Sequence, residues 1–116
     1  MLKKLQEEHK SWAIHNFGVH PAWMPLLGAV EELGELAHAH LKEAQGIRNH
    51  ENHEENARDA IGDIIIYLCD YCSSRGFDFH EIVEQTWERV KQRDWKNNPN
   101  DADKKVGKEG LCRTTK

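Results

Sequence analysis

The run Glu31-Glu32-Leu33-Gly34-Glu35, with Asp59 and Asp63 further along, holds the residue types whose spacing could do chemistry. On a helix turning about 100° per residue, Glu32 and Glu35 stand about 60° apart, one turn above each other. Carboxylates at i and i+3 repel by about a few tenths of a kcal/mol, and a cation between them removes that cost. Alone, the run reads as a solvated face, because these acids lie roughly opposite a stripe of Leu26, Val30, Leu33 and Ala37. Asp63 changes the balance. It interrupts Ala60-Ile61-Gly62-Asp63-Ile64-Ile65-Ile66-Tyr67-Leu68-Cys69, which is apolar nearly all round a helix. Such a helix is expected to be buried on most sides, where an ionised carboxylate is costly unless it is paired or binds a metal. Asp59 lies one turn earlier on the same side, and Asp70 shares that side. Four oxygen ligands on facing helices, without cysteine or paired histidine among them, suit Mg²⁺ or Mn²⁺. The competing reading of Asp63 is a buried salt bridge to Arg58, Lys42 or Arg48.

The elements that must carry these acids are all helical. Leu2 to Asn16 sets Leu2, Leu5, Trp12 and Ala13 among charges, an amphipathic helix. A connector from Phe17 to Pro25 follows, with Pro25 suited to the first turn of the next helix. From Leu26 to Gln45 the positions Leu26, Val30, Leu33, Ala37 and Leu41 recur every three or four residues, and Gly46 stops the run. A polar loop reaches Asn52, and another long helix spans His53 to Ser74, ending before Gly76. The last helix opens with Asp78 as N-cap and Glu81 three residues on, a capping box that Phe77 and Ile82 can staple. It fades near Asp94-Trp95. No alternating run supports a strand, so the expectation is an all-α chain of four helices in an antiparallel bundle. Residues 1–98 read as one helical domain and 99–116 as a polar tail.

Composition excludes several classes. A chain of 116 residues with formal net charge −4 disfavours a general binder of the phosphate backbone, so no nucleic-acid partner is expected. No apolar run approaches the ~20 residues of a membrane span, so no membrane partner is expected either. The N-terminal residues lack the apolar stretch of a secretory signal. Three cysteines are odd in number and too few for a disulfide scaffold, which favours a cytoplasmic location. Mean hydropathy is −0.83, polar for a compact monomer, and a partner subunit would help cover exposed apolar surface.

Glu31-Glu32-Leu33-Gly34-Glu35, followed by Gly62-Asp63 and an isoleucine-rich helix, resembles the MazG-like all-α NTP pyrophosphatases, whose signature is EExxE, a spacer, then ExxD. The resemblance covers Leu26 to Pro99. Glu32-Leu33-Gly34-Glu35-Leu36-Ala37-His38-Ala39-His40-Leu41-Lys42, with Trp95 and Asn98-Pro99, is similar to the short single-domain branch. One position departs: the family's glutamate three residues before the aspartate falls on Ala60. The acid next to it is Asp59, which could substitute as a ligand; otherwise water fills the position or the site is weakened.

The resemblance implies hydrolysis of a nucleoside triphosphate between its α- and β-phosphates, giving monophosphate and pyrophosphate. It implies that Glu32, Glu35 and Asp63 hold Mg²⁺, or Mn²⁺, with Asp59 the candidate for the open fourth position, and it casts Glu31 as a carboxylate that supports the ligands or orients water. Carboxylate-held Mg²⁺ suits in-line attack on a phosphoanhydride. The polyphosphate tail needs cations, for which Lys42, Lys91 and Arg93 are the candidates. Tyr67 occupies a position where relatives place a base- or sugar-contacting aromatic, with core packing as its alternative. Trp12, His15, His20 and Trp23 could stack a base. A homodimer or dimer of dimers is also implied. Two alternatives stay open: a pyrophosphatase specific for dUTP or dCTP, and a non-catalytic helical dimerisation or binding module.

Other signals are discounted. Cys69-Asp70-Tyr71-Cys72 is a CxxC inside a helix, without the strand-to-helix turn of a redox site or a second thiol pair for zinc. Cys112 reads as a tail thiol. Glu35 and His38 match the ExxH of di-iron bundles, but no second ExxH exists on the Asp63 helix. His50 and His53 read as solvated polar filler.

Overall fold

The computed structural model describes residues 1–100, which form four helices and no strand. They are α1 (Leu2–Phe17), α2 (Trp23–Gln45), α3 (His53–Arg75) and α4 (Phe79–Val90). The expected thiol Cys112 and most of the expected tail lie outside the described residues. The chain gathers into two compact units, Met1–Phe79 and a second beginning at His80. No helix among the described residues is long and apolar enough to cross a membrane.

Helix ends follow local chemistry. α2 begins at Trp23 rather than Leu26, because Pro25 falls within its first turn, where a missing N–H leaves no bond unmade. Gly46 closes α2 in the left-handed region at φ 71°, and Ile47 N–H returns to the Lys42 carbonyl at 3.2 Å. Asn52 caps α3 by accepting the Glu55 N–H at 3.0 Å. α4 starts directly after Asp78 and ends at Val90, short of the expected Asp94. Asp94 instead organises its own turn, its carboxylate accepting from the Asn97 backbone N–H at 3.1 Å and the Asn97 amide at 2.7 Å.

Within the first unit α2 and α3 pack along each other as an αα-hairpin, and α1 packs on α3. The α1–α3 core is Cys69, Cys72 and Phe79, flanked by Leu2, Leu5 and Leu68. Gln6 ties α1 to the turn after α3. Its amide donates to the Phe77 carbonyl at 2.8 Å, and its oxygen accepts the Phe79 N–H at 2.9 Å.

Two expectations about burial are reversed. The Leu26–Val30–Leu33–Leu41 stripe does not form the core: Val30 and Leu33 are 59% and 58% exposed. α2 instead buries Pro25, Ala29 and Ala39, with Glu32 and Leu36 half-buried between them. The 25, 29, 32, 36, 39 spacing is one helical face. Glu32 therefore stands on the packed face of α2, and Leu26, Leu33 and Leu41 are exposed. Small side chains suit this face, since Ala29 and Ala39 of α2 and Ala60 of α3 are all buried. The second reversal concerns α3. Asp63 is exposed, as are Ile61 and Ile65, so this helix is not buried on all sides within one chain.

Candidate acidic site

α2 and α3 gather carboxylates around an open cavity of about 300 Å³ lined by Glu31, Glu32, Glu35, Asn56, Asp59 and Ala60. Helical spacing accounts for the α2 half, because residues 31, 32 and 35 fall within one turn. Asn56, Asp59 and Ala60 follow the same i, i+3, i+4 rule on α3.

Glu32 is the electrostatic centre. Partial burial, followed by the negative charges of Asp63, Glu31 and Glu35, pushes its carboxyl above the ordinary carboxylate range. Asp63 thus acts on Glu32 across the helix pair although it does not line the cavity. The cations that could have neutralised Asp63 are engaged elsewhere. Arg58 faces Glu54 at 3.9 Å, Arg48 pairs with Glu51 at 3.2 Å, and Lys42 donates to Gln45 at 3.4 Å.

The acids are gathered rather than closed on one point. Among the described residues no group of three His, Cys, Asp or Glu side chains is arranged to hold a metal ion as it stands. The donor set is nonetheless all oxygen, and Glu31, Glu35, Asp59 and Asp63 are exposed, so their side chains can reorient toward a hard cation at small cost. The uncompensated charge on Glu32 is the feature such a cation would relieve.

The other candidates have partners of their own. Tyr67 is half-buried with its ring against α2 at Gly28, and it does not line the cavity. Lys91 pairs with Glu88 at 3.0 Å, and Arg93 lies over the Trp95 ring at 5.8 Å, both in the second unit. Trp12 is exposed and packs edge-on against Phe17, while His20 is committed to Asp70. Asp70 is therefore no part of the acidic cluster.

Asn56 was not foreseen. Its position three residues before Asp59 is the signal that could have found it, because i−3 shares a face. His53 is corrected too: it is buried, and its Nε2–H donates to the Ile47 carbonyl at 3.1 Å rather than to water. His38 turns to Glu51 at 3.5 Å, so the ExxH match with Glu35 does not build a shared site. Cys69 and Cys72 are buried reduced thiols. Burial, with Cys72 and Asp70 nearby, pushes the Cys69 thiol up to about 11, which removes it from thiolate chemistry at neutral pH.

Comparison with protein-family models, with curated proteins and with solved structures finds no match.

Proposed function

We propose that this chain is a Mg²⁺-dependent nucleoside triphosphate pyrophosphohydrolase, releasing pyrophosphate and a nucleoside monophosphate. The observation that carries the reading is the convergence of Asp63, Glu31 and Glu35 on a half-buried Glu32. Folding concentrates like charge there, and each of these neighbours raises the Glu32 carboxyl. That arrangement costs stability and is what a dication-binding site requires. When bound, Mg²⁺ or Mn²⁺ would shield phosphate oxygens and lower the pKa of a coordinated water.

The chain's own residues have distinct parts in this reading. Glu32, Glu35 and Asp63 hold the ion, and Asp59 supplies the oxygen that Ala60 lacks, since both residues line the cavity. Glu31 takes the proton of the attacking water, and the Asn56 amide donates a hydrogen bond to a phosphate oxygen. Lys42 on α2 is the candidate counter-charge for the triphosphate tail. A second copy of the chain covers the outward leucines of α2 and Ile61 and Ile65 of α3, because apolar side chains at this density are normally an interface.

Those same exposed faces favour a second reading, a non-catalytic helical dimerisation module. Incubation with a panel of NTPs and dNTPs in Mg²⁺ separates the two. Pyrophosphate release from many substrates supports a broad enzyme, and release from dUTP or dCTP alone supports a specialised one. Silence across the panel, with Mn²⁺ also tried, supports the module.

A further inference from the structure

The connector between α1 and α2 carries a second ionisable arrangement that is independent of the acidic cavity. His20 Nε2 lies 2.8 and 3.0 Å from the two carboxylate oxygens of Asp70 on α3, and its Nδ1 lies 2.9 Å from the Gly18 carbonyl. Both side chains are largely withdrawn from water, at 13% and 14% exposure. A carbonyl and an ionised carboxylate only accept, so each ring nitrogen must carry a hydrogen to satisfy this geometry. The ring that fits is the imidazolium. A neutral ring would aim a lone pair at one of the two oxygens.

Ser73 and Ser74 line a cavity of about 190 Å³ together with His20 and Asp70. A Ser-His-Asp grouping invites a nucleophile reading, but both ring nitrogens are already committed and none is left to accept a serine proton. The pair is therefore a structural link.

We propose that His20 and Asp70 form a proton-operated clasp that ties the α1–α2 connector to α3 through both ring N–H groups while the imidazole is charged, and slackens to a single N–H bond when the ring is neutral. The charged groups facing His20 are Asp70 from α3 and Lys10 from α1, which lines the same cavity; the connector itself contributes none. Asp70 is in direct hydrogen-bond contact with the ring. The Gly18 carbonyl bond and the Asp70 bond both raise His20 above its ordinary value, against the opposing effect of burial. The stability that the charged ring adds is thus fully present below about pH 6.5, the unfolded histidine value, for as long as Asp70 is ionised, and is lost as pH rises through the higher folded value. Its slackening loosens the entry to α2, whatever chemistry that helix performs.

Histidine NMR titration of the full chain, with amide exchange read at Gly18 and Met24, tests this. Those amides bond to the Ile14 and Pro21 carbonyls at 2.8 and 3.1 Å and flank the clasp. The expected result is a His20 midpoint above the ordinary imidazole value that falls back in Asp70→Asn. Protection at Gly18 and Met24 should drop about tenfold for each pH unit separating the folded and unfolded midpoints. Should Asp70→Asn not fold, His20→Gln keeps a neutral donor toward Asp70 and should make that protection independent of pH. A His20 midpoint at or below the ordinary value, or equal protection on both sides of it, overturns the clasp.

Discussion

The ring of Tyr67 on α3 occupies the space that a side chain at Gly28 of α2 would need. A Cβ at position 28 would stand 2.6 Å from the ring Cζ and 2.7 Å from Cδ1. Gly28 is thus a packing residue, and the aromatic ring and the bare backbone lock the register of the two helices that carry the acids. Replacing Gly28 with alanine returns about 1 kcal/mol of helix propensity. Overpacking against a ring costs about 1–3 kcal/mol. The expected outcome is a lower melting temperature for Gly28→Ala, restored when Tyr67→Leu is added. Thermal unfolding of the single and double variants reads the coupling; simple additivity would contradict the contact.

Glu32 should be destabilising where its charge is uncompensated. Its folded pKa is raised, so the folded chain binds the proton more tightly than the unfolded chain does, and stability falls as pH rises from the unfolded value through the folded one. Without divalent ions at neutral pH, Glu32→Gln should raise the melting temperature by about 1–3 °C, corresponding to about a few tenths of a kcal/mol. The gain should shrink below the unfolded glutamate pKa, where Glu32 is protonated in both states. Calorimetry at neutral and acid pH measures it.

A bound dication should reverse that order. At ten times its Kd, Mg²⁺ adds about 1.4 kcal/mol to the wild-type chain. Glu35→Gln, which removes a proposed ligand but preserves size, should lose most of this increment. Equal Mg²⁺ stabilisation of both proteins would remove Glu35 from the ligand set.

The outward face of α2 is expected to hold two copies together. Leu33 is 58% exposed, so a charge there leaves the chain's own core intact. Leu33→Glu should convert the oligomer to monomer in sedimentation velocity while helical circular dichroism is retained. A wild-type chain already monomeric at micromolar concentration would contradict the self-association.

Cys69 should be inert while the chain is folded. Full burial and a thiol pushed up to about 11 leave almost no thiolate at neutral pH. Alkylation followed by peptide mass spectrometry should modify Cys69 only after denaturant is added.

The helices themselves were readable from sequence because their stops are chemical: Gly46, Asn52 and Gly76 stand where the chain turns. The acids of Glu31-Glu32-Leu33-Gly34-Glu35 were readable too, but the direction they face was not. Periodicity found the Leu26–Val30–Leu33 stripe and could not tell whether it faces a neighbouring helix or the outside, since both are apolar patterns. Alanine and glycine carry a weak hydropathy signal, so periodicity does not reveal the burial of Ala29 and Ala60 or the approach of Tyr67 to Gly28. The pattern around Asp63 predicts burial that the fold does not supply, because isoleucines such as Ile61 and Ile65 do not reveal what covers them. The His20–Asp70 link joins residues fifty positions apart and leaves no local pattern.

Pyrophosphate release by the purified wild-type chain and by Glu35→Gln, with each common NTP and dNTP in millimolar Mg²⁺, bears most directly on the acidic cavity. The expected result is turnover by the wild-type chain and loss of at least about a hundredfold in the variant, the scale of removing one charge-stabilising group. Undiminished turnover in Glu35→Gln, or no release by the wild-type chain from any substrate with Mg²⁺ or Mn²⁺, would contradict it.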